Sequence, residues 1–350
     1  QYTGGTTGLS KGAMITHRNI VANMEQFLAW MQPLGLQPGN EVVTNAMPLY
    51  HAYSLVAIFS VSILEGHKQL LITNPRDMAG FVQELKKTPV STLSAVNTIF
   101  NGLMMVPEFK DLDFSTMKFC GSGGMPVQRA MVDKWKAITG VGVIEAYGMS
   151  ECTCLAISNP MDGTAQIGTA GIPVSSTDIK LVDENGQEVA QGQPGEICIR
   201  GPQVMKGYWE KPEETALVLK DGWLHSGDIG VANAQGFISI VDRKKDMIIV
   251  SGFNVFPNEV EQIVNQHPDV VESACIGVAD EHSGEAVKIF VVRKNEALSP
   301  ETLIAHCKQS LTGYKVPKHV AFVSEIPKSN VGKLLRRELK EKEKAQITSS

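Results

Sequence analysis

No basic excess marks this chain of 350 residues. Its 32 Lys and Arg stand against 37 Asp and Glu, a formal net charge of −5. A protein that holds nucleic acid through general basicity carries the opposite sign, so that class is set aside. No apolar run reaches the roughly 18 residues needed to cross a bilayer. The longest candidate, Ser54 to Leu64, is short and ends at Glu65. No N-terminal signal pattern is present. The 32 Gly and 17 Pro follow no period, which excludes collagen and low-complexity disorder. Six cysteines (Cys120, Cys152, Cys154, Cys198, Cys275 and Cys307) lie scattered, which reads as thiols in a reducing compartment and not as a disulfide framework. Cys152-Thr153-Cys154 lacks the spacing of a zinc knuckle, and no second pair follows it. The chain opens on Gln1 and not on Met, which reads as a processed chain or a piece of a longer one.

What is there predicts an α/β protein of two or three domains. Up to about residue 165, short apolar runs alternate with amphipathic helical patterns. Thr16 is placed to cap a helix with Ile20, Met24, Phe27, Leu28 and Met31 on one face. Val42 to Ala46, Leu70 to Ile72, Thr92 to Ser94 and Val141 to Ala146 read as buried strands, with helices over 78–87, 96–105 and 127–139. Such alternation predicts a mainly parallel sheet. From about 167 to 241 the chain is punctuated by Gly and Pro between short strands, which predicts a small antiparallel β-subdomain. The charged run Asp242-Arg243-Lys244-Lys245-Asp246 marks a boundary, so the domains are expected at 1–243 and 244–350, the second of them α+β. The tail from Arg336 is expected to fray.

Several segments have the composition of a nucleotide site. Tyr2-Thr3-Gly4-Gly5-Thr6-Thr7-Gly8-Leu9-Ser10-Lys11-Gly12 offers backbone N–H groups, hydroxyls and one cation to a polyphosphate. It is not a Walker A loop, because Gly12 stands where Ser or Thr belongs; a flexible turn would have the same composition. Tyr147-Gly148-Met149-Ser150-Glu151 follows a buried strand, where α/β sheets place ligands. Its ring can stack on a base and its carboxylate can hold Mg²⁺ near phosphates, although a buried Tyr and a solvated Glu would read the same. Trp223-Leu224-His225-Ser226-Gly227-Asp228 places a carboxylate after a tight turn, shortly before Asp242-Arg243. Lys333 lies in a loop ahead of a basic helix.

In this order, together with Pro48-Leu49-Tyr50-His51 and Gly332-Lys333-Leu334-Leu335-Arg336, these segments resemble the adenylate-forming enzymes along essentially the whole chain. Ile72-Thr73-Asn74-Pro75-Arg76-Asp77, Val250-Ser251-Gly252-Phe253-Asn254-Val255 and Leu311-Thr312-Gly313-Tyr314-Lys315-Val316-Pro317-Lys318 are similar to bacterial long-chain fatty acyl-CoA ligases. The resemblance implies the family's fold, N-terminally truncated: a partial α/β domain with its β-subdomain, then a mobile C-terminal domain. It implies ATP-dependent activation of a fatty acid to an acyl-adenylate, followed by transfer to coenzyme A. By the same resemblance Thr3, Gly4, Gly5, Thr6, Thr7, Gly8 and Lys11 form the phosphate loop, and Tyr147 stacks on adenine beside a wall of Ser122, Gly123 and Gly124. Glu151 and Thr3 hold Mg²⁺, Asp228 and Arg243 bind the ribose, Lys245 is the hinge and Lys333 is the catalytic lysine.

Ser150 stands where the family more often has Thr and keeps the hydroxyl; Ala146 replaces a usual Gly; Ile249 replaces a second lysine found in several relatives. Because the chain begins inside the phosphate loop, it is expected to be a C-terminal fragment of a longer ligase and, as it stands, nearly inactive. A medium-chain or aryl acid ligase, and a nucleotide-binding relative without catalysis, are the alternatives. A cytoplasmic location is expected, with no nucleic-acid partner; peripheral contact with the inner membrane surface and the oligomeric state stay open.

Overall fold

The computed structural model describes residues 1–3, 10–123, 127, 129–329 and 334–348, with 344–348 by backbone alone. The chain divides into two compact units. One holds the described residues of 1–226 together with 230–240, the other holds 227–229 and the described residues of 241–350.

The first unit is built on a seven-stranded sheet of β1 (Val42–Asn45), β2 (Lys68–Leu71), β3 (Thr92–Ala95), β4 (Phe119–Gly123), β5 (Val143–Tyr147), β6 (Ile157–Ser158) and β7 (Ile172–Pro173), in the order β2-β1-β3-β4-β5-β6-β7. The first five are parallel, with Thr92 beside Phe119 and Cys120 beside Val143; β6 and β7 run antiparallel. Strands this apolar need cover on both faces. One face is covered by helices α3 (Met78–Lys87), α4 (Asn97–Met105) and α5 (Arg129–Thr139), whose Phe81, Phe100 and Trp135 are almost wholly buried. The other is covered by α1 (His17–Met31) and by the run from Tyr53, which is π-helical to Ser60 and continues as α2 (Val61–Leu64).

Thr16 caps α1 with a capping box closed by Asn19. Of the expected apolar face, Met24, Phe27 and Met31 are buried, but so are Asn19, Asn23 and Gln26. This helix therefore carries a polar stripe into the interior that hydrophobic periodicity does not reveal.

The β-subdomain follows as a five-stranded sheet. Strands β8 (Asp178–Val182), β9 (Gly195–Arg200), β10 (Leu219–Lys220) and β11 (Trp223–Ala232) lie in the order β10-β11-β9-β8, and β12 (Ile238–Arg243) pairs with β11. Helix α6 (Pro212–Val218) precedes β10.

The second unit has its own sheet of β13 (Ile248–Val250), β14 (Phe253–Val255), β15 (Val270–Asp280), β16 (Gly284–Arg293) and β17 (His319–Phe322), with β15 and β16 paired along their length. Alternate residues face opposite ways. Cys275, Ile289 and Val291 meet α7 (Pro257–Val264) and α8 (Pro300–Lys308), while Ala274, Ile276 and Phe290 meet Leu339 of α9 (Arg336–Thr348). The expectation that the tail frays is thereby corrected as far as Thr348, where α9 ends; residues 349 and 350 lie outside the described residues. Leu339 is 3% exposed, and Lys288 bonds Glu343 at 2.6 Å. All six cysteines are free thiols. Among the described residues no helix is long and apolar enough to cross a membrane.

A buried ion cluster ties α9 to the rest of its unit. Arg336 donates to both Glu261 oxygens at 2.7 and 2.8 Å and to Asn258 Oδ1 at 2.7 Å, and the Cys275 N–H donates to Glu261 at 2.7 Å. Burial lifts the Glu261 carboxyl to about 7 against the pull of Arg336 and the Cys275 N–H. Arg336→Met leaves that carboxylate without its counter-charge, and a loss of about 3–5 kcal/mol is expected. Glu261 already binds its proton more tightly folded than unfolded, and the loss of Arg336 strengthens that binding. Its contribution is retained in acid and lost as pH rises through the folded value, so the deficit should be smaller near about pH 5 than near about pH 8. Denaturant unfolding at the two pH values checks this, and Glu261→Gln added to Arg336→Met should shrink the pH dependence to the part that buried Asp242 contributes.

Candidate active site

Open parallel sheets present ligands at the carboxyl ends of their strands. At that edge Ser122 and Gly123 end β4 beside Glu145 and Ala146 of β5, and Tyr147 ends β5, half-buried. Gly124 lies outside the described residues. The Glu145 carboxylate is buried and accepts from the N–H groups of Val127 and Gly168, each at 2.8 Å, which pins the chain that leaves β4. Beyond Tyr147 the backbone doubles back so closely that a Cβ on Gly148 would lie 1.5 Å from the Cys154 carbonyl oxygen; only glycine fits. Ser150 and Glu151 follow in a short 3-10 turn, and Glu151 is buried at 7% exposure.

The two arms of the Gly/Thr loop pair with each other. The Thr3 N–H donates to the Lys11 carbonyl and the Ala13 N–H to the Gln1 carbonyl, each at 2.8 Å, and the Thr3 hydroxyl accepts from the Lys11 N–H at 3.4 Å. Gly4, Gly5, Thr6, Thr7 and Gly8 lie outside the described residues. The second arm also pairs with 207–209: the Met14 N–H donates to the Gly207 carbonyl at 2.8 Å and the Trp209 N–H to the Gly12 carbonyl at 2.7 Å. That pairing delivers Tyr208, a residue sequence reasoning missed. Its hydroxyl donates to Glu151 Oε1 at 2.7 Å, and its ring lies 4.7 Å beneath the Lys11 ammonium, which also pairs with Glu214 at 2.5 Å. Burial first, and then the Glu151 charge, push the Tyr208 phenol far above its ordinary range, so it remains a donor. Lys11 and Glu151, 140 positions apart by their numbers, thus meet on one tyrosine. A Tyr between Gly and Trp carries no pattern that announces this.

In the second unit Asp228 Oδ1 lies 3.2 Å from Arg243 Nε, and Asp228 is 6% exposed. The expected tight turn before Asp228 is absent. The residue sits inside the ten-residue strand β11, where Gly227 at φ 72° breaks the extended path without ending it. Lys245 occupies a 3-10 turn over Lys244–Asp246. Its side chain is exposed, yet lost hydration near the ammonium, and then the like charge of Arg243, lower its pKa. Lys333 lies outside the described residues. A cavity of about 320 Å³ opens between α1, α2 and the sheet, lined by Phe27, Met31, Ala57, Val61 and Phe119 among others, and shares no residue with these sets.

Residues 1–209 match the AMP-binding enzyme family, and residues 259–333 match the AMP-binding enzyme C-terminal domain. The chain belongs to the AMP-binding enzymes. Across 347 residues it is 54% identical to a long-chain-fatty-acid–CoA ligase of Escherichia coli O157:H7, a match over 99% of this chain and 62% of that protein. Among solved structures, ATP-bound MatB from Rhodopseudomonas palustris superposes with a TM-score of 0.90 at 32% identity, over 97% of this chain and 67% of that one. The o-succinylbenzoate coenzyme A synthetase MenE from Bacillus subtilis, in complex with ATP and magnesium, superposes with a TM-score of 0.86 at 28% identity, over 97% and 69%. The fold of this AMP-binding enzyme is that of the adenylate-forming enzymes, as the ordered segments implied.

Tyr208→Phe keeps the ring under Lys11 and removes the donor to Glu151. A buried carboxylate that loses a hydrogen-bond donor costs about 1–3 kcal/mol. Chemical denaturation should show a loss of that size, and Tyr208→Leu should lose more because the cation–π contact, worth about 0.5–1 kcal/mol, goes as well. Equal stability of Tyr208→Phe and the parent would mean that the 2.7 Å bond contributes nothing.

Proposed function

We propose that this AMP-binding enzyme activates a long-chain fatty acid. The carboxylate attacks the α-phosphorus of ATP, giving an acyl-adenylate and pyrophosphate; the thiol of coenzyme A then attacks the acyl carbon, giving acyl-CoA and AMP. The observation that carries the reading is the 54% identity to a long-chain-fatty-acid–CoA ligase over nearly the whole chain. The chain spans about 62% of that relative's length. The Lys11–Tyr208–Glu151 arrangement supports the same reading.

A carboxylate is a poor electrophile, and activation gives it a good leaving group. Negative charge builds on the α-phosphate and on the departing pyrophosphate. Lys11 and Lys333 are the cations assigned to meet it, with the N–H and hydroxyl donors of Thr3 to Gly8 around the phosphates. Tyr147 stacks on adenine against Ser122, Gly123 and Gly124, with Ser150 beside it, and Asp228 and Arg243 bind the ribose. Lys245 is the pivot between the half-reactions, at the division between a domain of residues 1–243 and one of 244–350.

Among the described residues no group of three or more His, Cys, Asp or Glu side chains could hold a metal ion. Mg²⁺ fits all the same, because it keeps waters, takes phosphate oxygens and needs only one or two carboxylates from the protein. Glu151 supplies one, with Thr3 as the hydroxyl partner. Bound there with ATP, Mg²⁺ would neutralise phosphate charge.

Pyrophosphate exchange by the complete ligase with acids of graded length tests the substrate class. Exchange should be highest with long-chain acids; a preference for medium-chain or aryl acids would overturn the long-chain assignment, and no exchange with any acid would overturn the enzyme reading. Lys333→Ala should abolish adenylate formation, a loss of about 3–4 kcal/mol for one preorganised donor, and leave thiolation of pre-made adenylate largely intact. Lys245→Pro should do the reverse, damaging thioester formation more, because Pro fixes φ near −65°.

A further inference from the structure

Two residues after Glu151 the backbone takes a conformation that its side chain disfavours. Thr153 has φ 67° and ψ −57°. The Cys154 N–H donates to the Cys152 carbonyl at 2.7 Å, closing a three-residue γ-turn about Thr153. A β-branched residue adopts positive φ only at a cost, and such conformations persist where their surroundings over-determine them. Glycine would occupy the turn with less strain, yet a threonine stands here, 1% exposed.

Its surroundings supply the reason. The Thr153 hydroxyl donates to the Gln203 carbonyl at 2.7 Å. Gln203 is wholly buried; its amide donates to Thr177 Oγ1 at 2.7 Å and accepts from Gln26 at 3.3 Å. Asn23 grips the far side of the turn, accepting from the Leu155 N–H at 2.9 Å and donating to the Leu155 carbonyl at 2.8 Å. On the near side the Met205 N–H donates to the Glu151 carbonyl at 2.8 Å, and Tyr208 holds the Glu151 carboxylate. Residues 203–208 therefore hold both the γ-turn and Glu151. If the turn relaxed, the short segment between them would carry Glu151 with it.

We propose that Thr153 is a positioning residue for Glu151: its hydroxyl bond to Gln203 holds the strained γ-turn, and the turn sets the carboxylate in the orientation that takes the divalent cation of the nucleotide. The inference rests on the metal role proposed for Glu151 and adds the residue that enforces it.

Three substitutions separate this from a role in stability alone. Thr153→Val keeps the shape and removes the hydroxyl. Thr153→Ser keeps the hydroxyl. Thr153→Gly removes the hydroxyl but relieves the backbone strain. In the complete ligase, Mn²⁺ binding in the presence of a non-hydrolysable ATP analogue is measured by electron spin resonance, with thermal unfolding in parallel. Loss of a group that orients a metal ligand typically weakens metal binding about 10–100-fold. Thr153→Val and Thr153→Gly should both weaken Mn²⁺ binding at least about tenfold, and Thr153→Ser should stay near the parent. Thr153→Gly should keep most of its thermal stability while losing affinity, a split that a merely structural role does not produce. Mn²⁺ affinity unchanged in Thr153→Gly, or lost only in proportion to the unfolded fraction, overturns the proposal. Glu151→Gln separates the two layers. If it binds Mn²⁺ as the parent does, the metal role of Glu151 fails and the inference falls with it. If it binds poorly while the Thr153 variants bind normally, only the inference falls.

Discussion

The hydroxyl of Tyr208 donates to a carboxylate that the fold has taken out of water, and much of the first unit is arranged so that this bond can exist. Burying Glu151 is costly unless a donor reaches it. The donor comes from a segment nearly sixty residues further along the chain, brought in because 207–209 pair with the arm of the Gly/Thr loop. The same ring then lies under the Lys11 ammonium. One side chain thus solves the desolvation of the acid and restrains the base of the loop, and the two candidate catalytic groups become neighbours.

The second constraint is backbone crowding. Gly148 leaves no room for a Cβ, and Thr153 turns the chain through a φ-positive conformation, so the loop from Tyr147 to Leu155 folds back onto itself at the end of the parallel sheet. Helix α1 holds this loop with amides where a helix of its pattern would normally place aliphatic groups. Asn23 and Gln26 are buried and bonded, which is the condition for a polar network to specify one arrangement instead of weakening the core.

The second unit uses ions in the same way. Asp242 accepts from the N–H groups of Arg243 and Asn258, each at 2.7 Å, and Asn258 in turn accepts from Arg336. Asp242, near the end of β12, and Arg336, the first residue of α9, are therefore bonded to one short stretch of α7. Asp242, next to the Arg243 assigned to the ribose, and the helix that follows the Lys333 segment share this framework, in which Arg336 faces the carboxylates of Glu261 and Asp246.

Periodicity and order along the chain determined the layers. Alternating apolar runs and amphipathic helices specify a covered parallel sheet, Gly and Pro punctuation specifies the small antiparallel sheet, and the ordered motifs identify the family. These signals are local or additive, so a sequence displays them. The structure alone decided what depends on groups far apart in the chain. Tyr208 has no neighbour pattern that ties it to Glu151. Asn23 and Gln26 look like solvent-facing residues until Leu155 and Gln203 are packed against them. Asp228 looks like a turn residue because Gly227 precedes it, yet pairing with neighbouring strands keeps both inside β11. The tail beyond Arg336 reads as fraying because its apolar content is low. One leucine and one buried guanidinium suffice to hold it once the partner sheet exists, since burial energy depends on what a side chain meets and not on the composition of its own segment.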